Sequence, residues 1–235
     1  MIVEWAAAQQ ARQMLLATGM GALHVVEVGK GADKPLIVYC GDGDFRLATG
    51  GEAVAQDMAQ LGPVLLFDYP GNGRSAGYGS AREYRKAQEA IVVMVSIGRL
   101  SQKPPVVFWG RGTGGGVCAA MAAQADFPSR LVLENSRIDP KGVLYQGGIR
   151  LPDEDTTRRV IDLNLPVLLT GYTGAITVLT SPANEGVGRD VADKLRQGSR
   201  HVDLITLPGD GAPHAAGWQA RIASALGSSV TGSMP

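Results

Sequence analysis

A glycine-rich turn in the middle of the chain carries the residues whose types and spacing could do chemistry. Residues 110–114 read G-R-G-T-G, directly after the apolar run 106–109 and shortly before a predicted alanine-rich helix, 117–125. A strand, a sharp turn and a helix in this order are typical of the G-x-S-x-G elbow, which presents a serine nucleophile. The serine position of that pattern is Gly112. The turn therefore has the spacing of a nucleophile elbow but lacks the nucleophile.

The same turn has a second interpretation as a dinucleotide-binding fingerprint. Gly110, Gly112 and Gly115 form the pattern G-x-G-x-x-G. Glu134 lies about 20 residues further on, where such proteins place the acidic residue that binds a ribose hydroxyl. The residues of the turn fit both interpretations, so the elements around it have to decide between nucleophilic catalysis and a nicotinamide or flavin enzyme.

Composition limits the class of protein and its partners. The 235 residues include 22 basic and 22 acidic ones, and this balance favours neither nucleic acid nor an anionic membrane surface as a partner. No segment reaches the roughly 18 apolar residues of a membrane span, and the first residues do not have the form of a signal peptide. We therefore expect a soluble, cytoplasmic protein with one domain, residues 1–235, and no membrane partner. The sequence gives no indication of the oligomeric state.

The two cysteines, Cys40 and Cys118, are too few for a disulfide framework. Neither has metal-ligand spacing to a histidine or to another cysteine, so we expect no metal site, no cofactor and a reducing compartment. Cys40 ends a predicted strand and is interpreted as a small buried hydrophobic residue rather than a nucleophile. His24 is interpreted as a histidine within a strand rather than a ligand.

Alternation of short apolar runs with helical patterns predicts an α/β protein. The apolar runs are continuous, which indicates strands buried on both faces of a mostly parallel sheet. Predicted strands cover residues 22–28, 35–40, 64–67, 106–109, 131–133, 166–169 and 202–207. Predicted helices cover residues 4–18, 52–60, 80–98, 117–125, 189–197 and 217–226. Residues 138–164 are charged and show little apolar periodicity, which predicts a small lid or excursion.

Two stretches resemble the α/β-hydrolase superfamily. Residues 67–77, F-D-Y-P-G-N-G-R-S-A-G, look like the turn after the fourth strand of that fold. Residues 35–44, P-L-I-V-Y-C-G-D-G-D, resemble the preceding strand, whose turn supplies an oxyanion N–H group. The resemblance covers nearly the whole chain and implies a three-layer sandwich with a mostly parallel sheet of about eight strands. A dinucleotide fold normally places its fingerprint after its first strand, which favours the hydrolase interpretation here.

The resemblance also implies a set of catalytic positions. In this family a serine is activated by a histidine, which a carboxylate orients. His214 matches the histidine because it lies between the last predicted strand and the last predicted helix. The nucleophile position is Gly112 and the acid position falls at or next to Gly174, so two of the three catalytic side chains are absent. Asp139 or Glu134, after the strand that follows the elbow, is a possible replacement acid.

A concave site at the strand ends remains when the serine and the acid are absent. It would contain backbone N–H groups near Gly41, Asp42 and Thr113, the positive N-terminus of the following helix, and the residues Arg111, Asp42, Asp44 and His214. Thr113 also suits the N-cap of the following helix. We expect such a site to bind a small-molecule ligand with an anionic or carbonyl group.

Four functions stay open at this point. The first is a hydrolase-fold protein that no longer hydrolyses and binds a ligand or partner. The second is a lyase or isomerase in which His214 acts as a general base. The third is a serine esterase or peptidase whose catalytic residues have been replaced artificially. The fourth, which the element order disfavours, is a dinucleotide-binding oxidoreductase.

Overall fold

The apolar runs of the sequence form one central sheet. The structure, a computed structural model, describes residues 3–9, 11–29, 34–59, 61–99, 106–138, 164–198, 200–207 and 222. Its strands are β1 (Arg12–Ala17), β2 (Ala22–Val28), β3 (Leu36–Cys40), β4 (Val64–Phe67), β5 (Val106–Arg111), β6 (Ser129–Glu134), β7 (Ile176–Thr180) and β8 (Val202–Thr206). They lie in the order β1-β2-β4-β3-β5-β6-β7-β8, and only the β1–β2 and β2–β4 pairs are antiparallel. The predicted mostly parallel sheet of about eight strands is confirmed.

Helices cover both faces of this sheet. In the described part of the chain they are α1 (Glu4–Ala8), α2 (Leu47–Met58), α3 (Ala81–Arg99), α4 (Gly114–Gln124), α5 (Leu165–Leu168) and α6 (Glu185–Arg196). Buried side chains of α1 and α2 join one hydrophobic core, whereas those of α3, α4 and α6 join the other. The molecule is therefore a three-layer α/β sandwich, as the fold resemblance implies.

Alternate residues of the central strands supply the two cores. In β5, Val107 and Trp109 belong to the core beneath α1 and α2, and Val106 and Phe108 belong to the core beneath α3 and α4. All four side chains are buried. Burying an apolar side chain of this size stabilises a fold by about 1.5 to 3 kcal/mol, which explains why such strands are apolar on both faces.

The prediction of an amino-terminal helix over residues 4–18 is correct only for residues 4–8. Helix α1 ends at Ala8, and β1 begins at Arg12 and pairs antiparallel with β2. Met14 and Leu16 pack against the core beneath α3, whereas Leu15 between them is 60% exposed. This alternation of side chains is a strand pattern, and tertiary pairing with β2 overrides the helical propensity of the segment.

The strand predicted over residues 166–169 is also wrong, because Leu165–Leu168 is the short helix α5. Asn164 caps it by accepting a hydrogen bond from the Val167 N–H group at 3.3 Å. The next strand along the chain is β7, which begins at Ile176. This is ten residues after the start of the apolar run P-V-L-L, where a strand was predicted. Gly174 therefore precedes a strand instead of following one.

The two cysteines form a disulfide, which corrects the expectation of unpaired thiols. Cys40, the last residue of β3, is bonded to Cys118 in α4, with Cα atoms 5.9 Å apart. Both residues are fully buried. The predicted reducing compartment loses its main support, and the cytoplasmic location stays a prediction.

Two predicted segments lie mostly outside the described residues. Of the excursion predicted over residues 138–164, only Ile138 and Asn164 are described, and the helix predicted over 217–226 is described only at Ile222. The Leu165 N–H group donates to the Ile138 carbonyl at 3.1 Å, so both ends of the excursion lie side by side. None of the described helices is long and apolar enough to span a membrane.

Candidate functional site

The turn after β5 has the backbone geometry of an elbow. Gly112 lies at its apex with φ +57°, in the left-handed region that glycine tolerates best, and α4 begins at Gly114. The Gly112 N–H group donates to the Glu134 carbonyl at 2.9 Å, which ties the turn to the end of β6. The predicted order of strand, sharp turn and helix is confirmed at this point.

The glycine cluster lets α4 begin directly against the sheet. A β-carbon on Gly114 would overlap the carbonyl oxygens of Cys40 and Gly41, and one on Gly115 would overlap the Ser136 hydroxyl. Close packing against backbone at Gly114 and against the Ser136 side chain at Gly115 explains these two glycines without a phosphate ligand. Ser136 lies in the loop after β6 and is buried, and its hydroxyl donates a hydrogen bond to the Gly110 carbonyl at 3.3 Å.

The Asp42 carboxylate binds the residue that follows the apex of this turn. Its Oδ1 accepts hydrogen bonds from the Thr113 N–H group at 3.1 Å, the Thr113 hydroxyl at 2.6 Å and the Gly43 N–H group at 2.8 Å. Partial burial raises the pKa of the Asp42 carboxyl, but the hydrogen bonds from Thr113 and Gly43 and the positive charge of Arg111 lower it by more. The pKa of the Asp42 carboxyl therefore lies below its ordinary value, and the group is ionised at neutral pH.

The Asp42 carboxylate also fills the space of the missing side chain. A β-carbon on Gly112 would lie 2.9 Å from Oδ1 of Asp42, 2.6 Å from Cγ and closer still to Oδ2. Such distances are shorter than atomic contacts allow. Thr113 begins α4 as its N-cap by position, but its hydroxyl binds Asp42 and makes no cap hydrogen bond. The Asp42 carboxylate thus occupies the space of a side chain at position 112 and also binds the Thr113 N–H group.

A buried acid lies behind Arg111. Glu134, at the end of β6, is 2% exposed and accepts a hydrogen bond from the Trp109 indole N–H at 2.8 Å. Its Oε1 lies 3.5 Å from Nε of Arg111, whose side chain is 41% exposed. The nearby Tyr39 hydroxyl is buried, and burial and the charge of Glu134 raise its pKa. Glu134 is thus a buried counter-ion and does not offer the exposed carboxylate that ribose binding needs.

A cavity of about 490 Å³ opens beside the elbow, between the β3–α2 loop and Arg111. Pockets of small organic ligands span roughly 300 to 1,000 Å³, so this cavity is large enough for one. Its lining residues are Tyr39, Asp42, Asp44, Phe45, Arg46, Thr49, Gly50, Ala53, Val54 and Arg111. Within the described residues, no group of three or more His, Cys, Asp or Glu side chains could hold a metal ion.

The structure brings most of the predicted site residues together. Gly41, Asp42, Arg111, Thr113 and Glu134 all lie at the carboxyl ends of β3, β5 and β6, where the registers align Cys40, Gly110 and Leu133. The Gly41 carbonyl accepts the Tyr69 hydroxyl at 2.6 Å.

Gly174 lies at the opposite edge of the sheet. A β-carbon there would overlap the Ser129 carbonyl, at the start of β6, and the Tyr172 hydroxyl, which donates to that carbonyl at 3.0 Å. A carboxylate at position 174 therefore could not orient a histidine near Gly112. His214 and Asp139 lie outside the described residues.

Sequence reasoning missed part of the site. Tyr39 and Trp109 were assigned only as strand residues, and Phe45 and Arg46 were given no role. The residue Asn135 was also missed, although its φ of +47° is the only positive value at a non-glycine residue in the described part of the chain. Its side chain accepts from the Ser181 N–H group at 3.1 Å and joins the turns after β6 and β7. No motif marks these residues, since their roles depend on contacts between distant segments.

Comparison with solved structures defines the fold class. No protein-family model matches the sequence, and no curated protein is similar to it in sequence. In structure, the chain is similar to an alpha-beta hydrolase from Vibrio vulnificus (TM-score 0.69, 14% identity, covering 95% of this chain and 82% of that one). It is also similar to the esterase Pf2001 from Pyrococcus furiosus (TM-score 0.68, 12% identity, 94% and 93%).

A third similar structure is Est1E from Butyrivibrio proteoclasticus with bound ferulic acid (TM-score 0.66, 15% identity, 92% of this chain and 97% of that one). These likenesses span nearly the whole chain. The protein therefore has the α/β-hydrolase fold, and the fold implied by the sequence resemblance is confirmed.

Proposed function

We propose that this protein is a non-hydrolytic member of the α/β-hydrolase fold that binds a small organic ligand at the carboxyl ends of β3 and β5. One observation carries the proposal: the Asp42 carboxylate lies where the side chain of a nucleophile would lie. Because Gly112 has no side chain and Asp42 fills its place, the elbow offers no serine chemistry.

The occupied backbone donor supports the same conclusion. In an acyl-transfer enzyme, the N–H group after the nucleophile stabilises the oxyanion of the transition state. Here that group is the Thr113 N–H, which donates to Asp42. A negative carboxylate at this place repels a second anion. The arrangement therefore disfavours hydrolysis, and it equally disfavours a lyase or isomerase that would stabilise an enolate there with His214 as the base.

The contact between Asp42 and Gly112 also disfavours an artificially replaced serine. A serine at position 112 would force the Asp42 side chain out of its three hydrogen bonds. Changing one residue back would consequently not rebuild an ordinary hydrolase site.

The family's acid would be expected in the turn after β7, once the strand assignment is corrected. That turn contains Asn184, whose amide donates to the Ser181 hydroxyl at 3.0 Å, and it ends at Glu185, the first residue of α6, which pairs with Arg189 at 2.9 Å. Asn184 is an amide and cannot act as the acid, and Glu185 already has a cationic partner on its own helix. These contacts support a site without a catalytic carboxylate from β7.

Labelling with a fluorophosphonate probe tests the proposal. We expect no covalent adduct on the intact protein by mass spectrometry, and no burst in p-nitrophenyl acetate hydrolysis, while a serine esterase of the same fold labels fully. Heat-denatured protein is the control for non-specific reaction. A stoichiometric adduct on the folded protein, lost on denaturation, would show that a nucleophile exists and would refute the non-hydrolytic assignment.

A further inference from the structure

We propose that the cavity beside the elbow binds an organic ammonium ion with a small apolar body. This inference deepens the proposed function, because it names the ligand class of the same site. It differs from the ligand expected from the sequence, which carries an anionic or carbonyl group.

Two carboxylates supply the negative side of the cavity. Asp42 and Asp44 both line it, and both are exposed to solvent. All the hydrogen bonds that Asp42 receives from the described residues fall on Oδ1, so Oδ2 accepts none of them. A carboxylate fixed through one oxygen keeps its full charge and offers the other oxygen to an N–H donor.

The cations of the lining are already engaged. Nε of Arg111 lies 3.5 Å from the buried carboxylate of Glu134, so part of its charge is compensated from behind, and the rest acts on Asp42. The Arg46 side chain binds backbone of its own loop: its Nη1 donates to the Phe45 carbonyl at 2.8 Å and to the Gly43 carbonyl at 3.4 Å. Both guanidinium groups keep their charge, but Asp42, Asp44 and the buried Glu134 carry three negative charges against these two positive ones, so the balance around the cavity favours a cationic ligand.

The apolar walls suit the rest of such a ligand. Tyr39 and Phe45 line the cavity as an edge-to-face pair with ring centroids 5.5 Å apart. Aromatic rings attract ammonium groups through their negative faces, and carboxylates nearby add to this attraction. Ala53 and Val54 of α2 complete the lining with aliphatic groups that can contact a short hydrocarbon or a ring.

The test compares two probes of one shape and opposite charge. Benzylammonium and phenylacetate are titrated into the ¹⁵N-labelled protein, with benzyl alcohol as the neutral reference. We expect benzylammonium to shift the amide signals of Gly43 and Thr113 and to bind at least about tenfold more tightly than phenylacetate. Raising the salt concentration should weaken its binding, because an ion pair is screened. Equal binding of both probes, or tighter binding of phenylacetate, overturns the proposal, and this comparison needs no variant.

Variants then locate the charge that selects the probe. Asp42→Asn keeps the shape of the side chain and an acceptor for Thr113, and should weaken benzylammonium binding about tenfold or more. Asp44→Asn should weaken it as well. Asp126→Asn is the matched control, since Asp126 is an exposed acid between α4 and β6 at the opposite edge of the sheet. Unchanged affinity in both cavity variants, or an equal loss in the control, contradicts the assignment.

The two proposals fail in different ways. If fluorophosphonate labels the protein while benzylammonium binds selectively, the site is a hydrolase site with a cationic substrate. If no labelling occurs and phenylacetate binds better, the non-hydrolytic assignment stands and the ligand class is wrong.

Discussion

Asp42 and Gly112 set the character of the site through a contact between two residues 70 positions apart in the sequence. Glycine relieves the backbone strain of an elbow, and its missing β-carbon leaves room for the carboxylate. Each residue therefore depends on the other. The dependence can be measured as a coupling free energy.

The first prediction concerns the substitution Gly112→Ala. We expect it to destabilise the protein more than Gly19→Ala, measured as the free energy of unfolding in urea. Both glycines have positive φ, but a β-carbon on Gly19 meets nothing within 4 Å. Backbone strain costs both variants about 1 to 2 kcal/mol. Gly112→Ala additionally displaces Asp42 from its hydrogen bonds, at a further cost of about 1 to 3 kcal/mol.

A double-mutant cycle provides the control. In an Asp42→Ala background, the additional cost of Gly112→Ala should disappear, and the two glycine substitutions should then cost nearly the same. If the cost of Gly112→Ala is the same with and without Asp42, the carboxylate does not occupy the elbow.

The second prediction concerns the buried pair His24 and Asp68, joined at 3.4 Å. Burial lowers the pKa of His24 from its ordinary value of 6.5, although the hydrogen bond and charge of Asp68 raise it. Because the unfolded state binds the proton more readily, unfolding takes up a proton below about pH 6.5. Stability is therefore full above this pH and falls as the pH drops towards the lowered pKa of the folded state.

The measurement is the urea midpoint between pH 7.5 and 5.5, compared for the natural protein and His24→Gln. We expect the natural protein to lose stability by at most about 1.4 kcal/mol per pH unit in this range. The glutamine variant should be less stable at pH 7.5 and nearly independent of pH above 5.5. A natural protein that is equally stable at both ends of the range would show that His24 titrates normally.

Sequence patterns located most of the site residues but not their contacts. The G-R-G-T-G spacing identified the elbow because a strand, a turn and a helix leave a local signal. The sequence predicts Asp42 as a site residue but not its contacts with Gly112 and Thr113, since no sequence pattern shows which side chains of distant loops meet. Gly174 was placed wrongly for a different reason: an apolar run of four residues fits a short helix as well as a strand.

At the level of elements, the disulfide joins β3 to α4 beneath the elbow. Cys40 and Cys118 are separated by 78 residues, so the bond removes much of the freedom of the unfolded chain. It also fixes the strand that leads into the Asp42 loop relative to the helix that begins after Thr113. Two cysteines in a sequence cannot reveal this pairing, because it depends on the parallel pairing of β3 with β5.

The third prediction is that reduction of this disulfide destabilises the protein by roughly 4 kcal/mol. Urea unfolding with and without a phosphine reductant measures the difference. The variant Cys40→Ala, Cys118→Ala is the matched control, and its midpoint should not respond to the reductant. We expect no free thiols in protein that is unfolded in urea without the reductant. Two free thiols there would contradict the pairing.

The wrongly predicted helix over residues 4–18 shows how tertiary structure decides between local alternatives. Alanine, glutamine and leucine favour a helix, yet the segment also alternates Met14, Leu15 and Leu16 between core and solvent. Pairing with β2 satisfies its backbone and buries Met14 and Leu16. The strands predicted over residues 35–40, 64–67, 106–109 and 131–133 are confirmed within a few residues, whereas β7 was predicted at the wrong apolar run.

For the whole molecule, the amino-terminal helix α1 shares one core with the central strand β5. Trp5 of α1 donates its indole N–H to the Leu47 carbonyl at 2.8 Å, and its ring contacts Gly51 in α2. Trp109 lies in β5, and both tryptophans belong to the same hydrophobic core. A shared core predicts that the amino-terminal elements and the central sheet unfold together as a single domain.

The fourth prediction follows from this shared core. With 5-fluorotryptophan incorporated, we expect the ¹⁹F signals of Trp5 and Trp109 to disappear at the same urea concentration, and far-UV circular dichroism to change there too. Trp5→Phe and Trp109→Phe assign the signals. The truncation of α1 should lower the midpoint of both the Trp109 signal and the dichroism, because α1 covers part of the common core. If the Trp5 signal is lost at clearly lower urea while Trp109 keeps its native shift, the amino-terminal elements form a separate unit and the single-domain assignment fails.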